Sequence, residues 1–180
     1  MAILLSTNKP WTDLILCRKK RIEWRKSPLP KGLCYLYETK GKGGCGAVVG
    51  KCYIRGNIDY TNTDILDINY QVLTDGMVKS GDLEQYKNNG KLFANIVTDA
   101  YRFPQPIALA EFTKCVEPKM PYCPACKHGY VYIPETEYED ALAGNWYRTE
   151  WICCNRLKRP PQSWCYINSR NEDLHIDENC

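Results

Sequence analysis

Short runs in which hydrophobic and polar residues alternate recur along the chain, which is the pattern of β-strands with one buried face. Turns rich in Gly and Pro separate these runs. The pattern predicts strands at residues 2–6, 20–25, 32–38, 47–54, 94–103 and 162–167. Gly50 is expected to form a bulge in the fourth strand. Pro104 and Pro106 are expected to end the fifth, because proline cannot donate a backbone hydrogen bond to a sheet.

Helical signals are confined to two short segments. Asn8 before a Lys-Pro pair is typical of a helix start with Asn8 as the cap residue, and the apolar stripe that follows ends near Cys17. A second short helix is predicted over residues 82–87, whereas residues 56–75 show no clear period. Several short strands with a few helices predict a mainly β (α+β) fold, built as a small barrel or a curled sheet.

Residues 41–46 form a glycine-rich stretch between the third and fourth predicted strands. A phosphate-binding loop of the P-loop type would need an eight-residue spacing that ends in Lys-Ser or Lys-Thr, and this stretch has neither. A flexible hairpin connection is therefore the favoured interpretation.

The composition is typical of a soluble globular protein, with 44% hydrophobic and 25% charged residues among 180. The length suits one ordinary domain with an elaboration. The apolar run at residues 1–5 is too short for a membrane helix or a signal peptide, so a cytoplasmic location and no membrane partner are expected.

Charge is distributed unevenly along the chain, although the net charge is only +3. Residues 1–60 contain 12 Lys and Arg against 4 Asp and Glu, whereas residues 171–180 contain four acids and no Lys or Arg. A basic N-terminal region suits an anionic partner such as nucleic acid. The alternative is that these lysines and arginines are ordinary solvated side chains.

Cysteine is unusually frequent, with eleven residues. The number is odd, two cysteines are adjacent and no secretion signal is visible, so reduced thiols are favoured over a disulfide scaffold. Some of them are expected to be small buried hydrophobic residues. Five cysteines and four prolines are concentrated in residues 115–154, where aliphatic residues are few. We therefore interpret residues 115–158 as an insertion that cannot build a large core of its own.

The spacing of the cysteines in this insertion predicts a structural zinc site. Cys123 and Cys126 form a Cys-x-x-Cys knuckle followed by Gly129, in which two thiolates can bind one zinc ion. Tetrahedral closure needs two more ligands, and four thiolates would leave no open position for water. The predicted ligands are Cys115, Cys123, Cys126 and Cys153.

Alternatives to this zinc site remain open. Cys154 can replace Cys153, and His128 is the substitute if Cys115 belongs to the core. A redox pair of the thioredoxin type lacks its expected βαβ context here. Disulfides or free thiols are the remaining interpretations.

Four short motifs stand out along the chain. Ser6-x-x-Lys9-Pro10 leads into a helix, and the run RKKRIEWRK follows at residues 18–26. The other two are VVG at 48–50 and RPPQSWCY at 159–166. Together these motifs resemble the ASCH domain family, whose members are relatives of the PUA domains. Where many members have glycine before the Lys-Lys pair, this chain has Arg18, so the turn there is expected to use a different backbone geometry.

The resemblance implies a PUA-like β-barrel with a cleft lined by the Lys-Lys-x-x-Glu-x-Arg strand. Members are regarded as binders of RNA or nucleotides, and proteins of this compact pattern are typical of bacteria or phage. A few small members are amidohydrolases that act on modified cytidine, and ribonuclease activity is attributed to others. The implied organisation is a barrel at 1–114 and 159–170, the insertion at 115–158 and an acidic tail at 171–180.

The cleft strand supplies most of the candidate binding residues. On a strand, Glu23 and Arg25 share a face and Lys20 lies opposite, unless a turn redirects it. Lys and Arg beside a carboxylate could hold a phosphate while the carboxylate accepts hydrogen bonds from a base or sugar. The alternative is an ion pair on the barrel surface. The candidate set for nucleic-acid or nucleotide binding is Lys9, Lys19, Lys20, Glu23, Arg25 and Tyr37.

Aromatic residues near this strand allow base stacking, although barrel strands also need aromatic residues in their core. The core is the favoured position for any one of them. The candidates for stacking are Trp24, Tyr35, Tyr37 and Tyr101.

Catalysis is the second hypothesis. The amidohydrolase relatives carry a threonine nucleophile where this chain has Glu23, which argues against the same acyl-transfer mechanism. Glu23 as general base with Lys20 in support remains open for hydrolysis of a modified nucleoside or of RNA. A third hypothesis makes the insertion a protein-docking module and the barrel its scaffold. Binding of RNA or a nucleotide is the favoured function.

Overall fold

The computed structural model describes residues 2–88, 90–112 and 157–167. Within these residues the chain forms six strands and three α-helices. In chain order they are β1 (Ala2–Thr7), α1 (Lys9–Leu16), β2 (Ile22–Arg25), β3 (Gly32–Glu38), β4 (Ala47–Asp59), α2 (Tyr70–Asp75), α3 (Ser80–Lys87), β5 (Phe93–Ile107) and β6 (Trp164–Ile167).

The six strands form one mixed sheet in the order β2-β5-β4-β3-β1-β6. β1 pairs with β3 in parallel, and every other pairing is antiparallel. β2 and β6 are the two ends of this order, yet Trp164 Nε1 lies only 3.4 Å from Ser27 Oγ, just beyond β2. The sheet therefore curls until its ends approach each other. The predicted mainly β class is confirmed, and the curled sheet stays open, because no pairing joins β2 to β6 in the described residues.

Alternating side chains of the sheet build three hydrophobic clusters. The inner face of the sheet and α1 share the first, which includes Leu5, Ile15, Leu36 and Ile54. The outer face of β1 and β3 carries the second, which includes Tyr35, Tyr37, Phe112 and Ile167. The third joins β2 to the helical segment that follows β4 and includes Ile22, Trp24, Ile65 and Leu83. This third cluster positions α3 beside β2.

β5 continues to Ile107, so the expectation that Pro104 and Pro106 end it is wrong. β2 pairs with the first residues of β5, up to Ile96, and no other described strand lies on that side of the later part of β5. The pairing with β4 is also irregular there, with the register shift predicted at Gly50. Proline is tolerated in such a stretch because fewer backbone N–H groups are needed for the ladder.

Two local expectations at the ends of α1 are corrected by the structure. Arg18 has a φ of 61°, so it adopts the left-handed conformation that favours glycine instead of a different turn geometry. Asn8 occupies the cap position of α1, but its side chain does not cap the helix. Asn8 Oδ1 instead accepts a hydrogen bond of 2.7 Å from Thr39 Oγ1, which ties the start of α1 to the end of β3.

The predicted insertion at 115–158, apart from its last two residues, and the acidic tail at 171–180 lie outside the described residues. No helix within the described residues combines the length and the apolar character needed to span a bilayer. The glycine-rich stretch at 41–46 connects β3 to β4, which pair as an antiparallel hairpin, as predicted.

Candidate functional site

A pocket of about 630 Å³ lies at the seam where the two ends of the curled sheet approach each other. One side consists of residues 6–8 at the end of β1 and Trp11 of α1. β2 and the preceding turn form the floor, α3 forms the opposite wall, and residues 160–162 complete the rim. The pocket therefore exists because the sheet curls without closing.

A cluster of three charged side chains from β2 and its preceding turn lies in this pocket. Arg25 Nε and Nη2 both lie 2.9 Å from Glu23 Oε1, and Lys20 Nζ lies 3.6 Å from Glu23 Oε2. Lys20 is 3% exposed and Glu23 6%, so the cluster is largely withdrawn from bulk water. Two cations share one carboxylate, which leaves a formal excess of one positive charge.

The turn after α1 brings Lys20 to the side of Glu23. The backbone N–H groups of Lys19 and Lys20 both donate to the carbonyl of Leu14, next to the left-handed Arg18. β2 begins only at Ile22, so Lys20 precedes the strand and does not follow its alternation. On a regular strand Lys20 would lie on the face opposite Glu23. The turn before β2 redirects Lys20, so both side chains lie on the same side.

Lys20 is held by two contacts besides Glu23. Its Nζ donates a hydrogen bond of 2.5 Å to the carbonyl oxygen of Gly76, and it lies 5.1 Å from the centre of the Trp11 ring. Burial lowers the pKa of Lys20, and the attraction of Glu23 offsets part of that effect. Functional sites often contain a buried ionisable residue whose pKa is shifted, and Lys20 has this character.

Arg25 crosses the seam of the sheet. Its Nη2 donates a hydrogen bond of 2.8 Å to the backbone carbonyl of Ser6, at the end of β1. Ser6 in turn donates from its Oγ to the carbonyl of Pro161 and from its backbone N–H to the carbonyl of Ser163, both at 2.8 Å. The guanidinium is thereby fixed in one orientation between β2, β1 and the segment before β6.

The wall opposite β1 comes from the helical segment between β4 and β5. Asp82, Leu83 and Tyr86 of α3 line the pocket. Lys26 Nζ lies 5.4 Å from the centre of the Tyr86 ring at the mouth. The segment contacts the turn before β2 through Gly76, whose carbonyl oxygen accepts a hydrogen bond from Lys20, so the wall and the charged cluster are in direct contact.

The structure brings together only some of the residues predicted from the sequence. Lys20, Glu23 and Arg25 line the pocket, whereas Lys9 and Lys19 are exposed outside its lining. Tyr37 is buried in the second hydrophobic cluster, where burial raises its pKa, so its ring is not offered to the pocket.

The other stacking candidates occupy three different environments. Tyr35 is fully buried against Phe112, and Trp24 is buried in the third hydrophobic cluster and also lines the pocket. Tyr101 is exposed on β5, away from the pocket. The expected core position therefore describes Tyr35, Tyr37 and Trp24 but not Tyr101.

The predicted zinc ligands Cys115, Cys123, Cys126 and Cys153, and the alternatives Cys154 and His128, lie outside the described residues. Among the described residues, no group of three or more His, Cys, Asp or Glu side chains could hold a metal ion.

Trp11, Asp82 and Tyr86 are pocket residues that the sequence interpretation does not identify. Trp11 falls on the apolar stripe of α1, which is equally typical of a core residue. Asp82 and Tyr86 lie on a short helix whose approach to β2 depends on packing between distant segments. The only available signal was their position on a predicted helix.

No protein-family model and no curated protein sequence matches the chain. Its fold resembles that of ASCH from Zymomonas mobilis (ZmASCH), with a TM-score of 0.56 and 16% identity over 96% of this chain and 90% of that one. A tyrosine-to-phenylalanine mutant of ZmASCH gives the same score and identity and is covered over 93% of its length. A serine-to-alanine mutant gives 0.55 and 15%, with 91% covered. At this identity the likeness concerns the fold alone, and the fold expected from the sequence motifs is confirmed.

Proposed function

We propose, from the ASCH fold of this chain, that the protein binds RNA or a nucleotide in the pocket at the seam of the sheet. The observation that carries the proposal is the buried cluster of Lys20, Glu23 and Arg25 on the pocket floor. The pocket would enclose a base with part of its sugar, and the cationic side chains would meet the negative charge of the ligand.

The size and walls of the pocket support this proposal. A volume of about 630 Å³ falls within the range of pockets that take small organic ligands. Trp11 and Tyr86 provide aromatic surfaces, which stack with any base. Glu23 and Asp82 provide carboxylate oxygens, which accept hydrogen bonds from the amino groups of bases.

The buried cluster and the basic residues near the pocket support an anionic ligand, although Asp82 on the opposite wall brings the formal charge of the lining itself to zero. The cluster has two cations for one carboxylate, and the contacts of Arg25 use only its Nε and Nη2. No partner of Nη1 is found within the described residues, so its two N–H groups are available to a phosphate or a base. Exposed basic residues lie one or two positions along the chain from residues that line the pocket: Lys9, Lys26, Lys40, Lys158 and Arg159.

Binding of nucleoside monophosphates and of a short single-stranded RNA, measured by calorimetry, tests the proposal. Arg25→Gln removes one cation of the cluster and is expected to weaken binding by at least about tenfold. Arg102→Gln is the matched control, because Arg102 is a half-exposed arginine that pairs with the carboxylate of Asp13 outside the pocket. Raising the salt concentration is expected to weaken RNA binding further.

Equal affinities for the Arg25 and Arg102 variants would contradict the proposal. Circular dichroism and thermal unfolding of each variant show whether a loss of affinity reflects a loss of fold. A variant that unfolds is replaced by Arg25→Lys, which keeps the charge and loses the bidentate geometry.

A hydrolase acting on a modified nucleoside or on RNA is the second candidate, and the lowered pKa of Lys20 favours it. Glu23 would serve as general base with Lys20 as its electrostatic partner. In this case Glu23→Gln would retain ligand binding and abolish turnover. A pure binding module would lose affinity modestly and show no turnover before or after the change.

A further inference from the structure

The outer face of β4 and β5 exposes two tyrosine rings at the edge of the second hydrophobic cluster, where Tyr101 contacts Phe103. Tyr53 is 42% exposed and Tyr101 51%, whereas Tyr35 and Tyr37 on the neighbouring β3 are buried in the second hydrophobic cluster. Neither Tyr53 nor Tyr101 lines the pocket at the seam. Two half-exposed aromatic rings on one sheet face offer a surface that a ligand can contact.

Each of the two rings has a cation beside it. The guanidinium carbon of Arg55 lies 5.8 Å from the centre of the Tyr53 ring, and Lys51 Nζ lies 5.9 Å from the centre of the Tyr101 ring. Lys51, Tyr53 and Arg55 alternate along β4 and therefore project from the same face. Aromatic and basic side chains are thus interleaved on one surface.

The two strands bring the rings close to each other. Lys51 pairs with Tyr101 in register and Tyr53 with Thr98, with a register shift between the pairs. Tyr53 and Tyr101 are therefore diagonal neighbours across the strands, a separation of roughly 7–8 Å between backbone positions. That distance is within reach of two large aromatic side chains on one face.

A bulge in β5 provides polar partners for the arginine of this surface. Asp99 has a φ of 51° at the register shift, and its Oδ2 lies 3.5 Å from Arg55 Nη2. Arg55 Nε also donates to Thr98 Oγ1 at 3.3 Å, and Thr98 Oγ1 donates to Asp99 Oδ2 at 2.7 Å. Arg55 therefore has polar partners on β5 beside Tyr53, although the ion pair is largely exposed and contributes little stability.

We infer that this face, formed by Lys51, Tyr53, Arg55 and Tyr101, is a second binding site whose ligand is single-stranded nucleic acid. Unpaired bases stack on Tyr53 and Tyr101, and the guanidinium plane of Arg55 extends the stacking surface. Lys51 and Arg55 carry two positive charges beside the one carboxylate of Asp99, so these three side chains keep a formal excess of one positive charge, which complements the phosphate backbone. Paired bases in a duplex do not expose their faces, so the surface selects single strands.

Fluorescence anisotropy with a labelled single-stranded RNA of twelve nucleotides tests this site. The double variant Tyr53→Ala/Tyr101→Ala is expected to bind it at least about tenfold more weakly, because each lost stacking contact weakens binding severalfold. Tyr70→Ala is the matched control, since Tyr70 is 81% exposed and lies in residues 62–78, which contain three acids and no Lys or Arg. The double variant Tyr53→Phe/Tyr101→Phe keeps both rings and is expected to retain the wild-type affinity.

The measurements separate this inference from the pocket proposal. A nucleoside monophosphate reports on the pocket, and its affinity is expected to be unchanged in Tyr53→Ala/Tyr101→Ala. In protein that already carries Arg25→Gln, adding Tyr53→Ala/Tyr101→Ala is expected to weaken binding of the twelve-nucleotide strand by the same factor of about ten. Three results would overturn the second site. The affinity for the strand could be unchanged in Tyr53→Ala/Tyr101→Ala, Tyr70→Ala could lose as much affinity, or the wild type could bind a duplex as tightly as a single strand.

Discussion

Arg25 Nη2 donates a hydrogen bond of 2.8 Å to the backbone carbonyl of Ser6, which joins β2 to the end of β1 across the seam of the sheet. In a closed barrel this junction would be made by backbone hydrogen bonds between strands. Here a side chain makes it, and the same guanidinium binds Glu23 on the pocket floor. Closure of the sheet and organisation of the pocket are therefore coupled through one residue.

Replacing Arg25 by lysine is expected to destabilise the fold by about 1–3 kcal/mol, because the lysine cannot bind Glu23 and Ser6 together and leaves buried polar atoms without partners. Urea unfolding followed by circular dichroism measures this change. Arg102→Lys is expected to change the free energy of unfolding by less than about 1 kcal/mol, because its pair with Asp13 is half exposed. Equal effects of the two changes would show that the seam contact has no special structural role.

Gly76 is predicted to tolerate no side chain because the Trp24 ring lies against it, and not because of its backbone angles. A Cβ at Gly76 would lie 2.1 Å from Trp24 Nε1, and the φ of Gly76 is −82°. Gly76→Ala is therefore expected to cost roughly 1–3 kcal/mol by overpacking and to displace the carbonyl that accepts from Lys20.

Gly81→Ala is the matched control for this change. A Cβ at Gly81, in the first turn of α3, meets nothing within 4 Å. Alanine there is expected to be neutral or stabilising by up to about 1 kcal/mol. Thermal unfolding of both variants checks the prediction, and a wild-type melting temperature for Gly76→Ala would contradict it.

The stability of the fold is expected to rise with pH in the alkaline range because of Lys20. Burial lowers the pKa of Lys20 in the folded state below its ordinary value of 10.5, so the unfolded chain binds more protons between the two values. The cost of burying the ammonium group is complete below the folded pKa, falls as the pH rises through that window, and disappears above 10.5.

Lys20→Met isolates this contribution, because other titrating groups cancel in the comparison. Urea unfolding of both proteins at several alkaline pH values, with a reductant present, gives the difference in their free energies of unfolding. The wild type is expected to gain stability relative to Lys20→Met as the pH rises. A difference that is constant with pH would mean that Lys20 is as well solvated in the fold as in the unfolded chain.

Local signals predict some elements of this fold to the residue, and non-local pairing decides the others. The alternation and the flanking residues place β3 at Gly32–Glu38, as observed. The end of β5 cannot be predicted in the same way. Whether Pro104 and Pro106 end the strand depends on whether a neighbouring strand needs a backbone N–H group at those positions. Sequence alone does not show that β2 stops pairing at Ile96.

The same distinction applies to the pocket. Lys20, Glu23 and Arg25 belong to one short segment, so a sequence motif can name them together. Trp11 and Tyr86 come from helices that approach the seam from different parts of the chain, and their packing sets their position. Sequence analysis therefore identifies the charges of the pocket but not its aromatic walls.

The cysteine spacing predicts one structural zinc ion per chain, bound by Cys115, Cys123, Cys126 and Cys153. Residues 115–158 contain few aliphatic residues, so their ordering is expected to depend on the metal. Elemental analysis of protein purified without chelator measures the zinc content. Cys123→Ser is expected to lose the metal, whereas Cys17→Ser is expected to retain it, because Cys17 is an exposed cysteine beside α1.

The outcome also distinguishes the alternative ligand sets. If Cys154 completes the site, Cys153→Ser keeps the zinc and Cys154→Ser loses it, and His128→Ala loses it only if His128 replaces Cys115. A docking role of the insertion would require the metal-free protein to lose its protein partner while nucleotide binding in the pocket persists. If protein that has never met a chelator contains no zinc, the predicted site is wrong. The cysteines are then buried thiols or disulfides, which the sequence also allows.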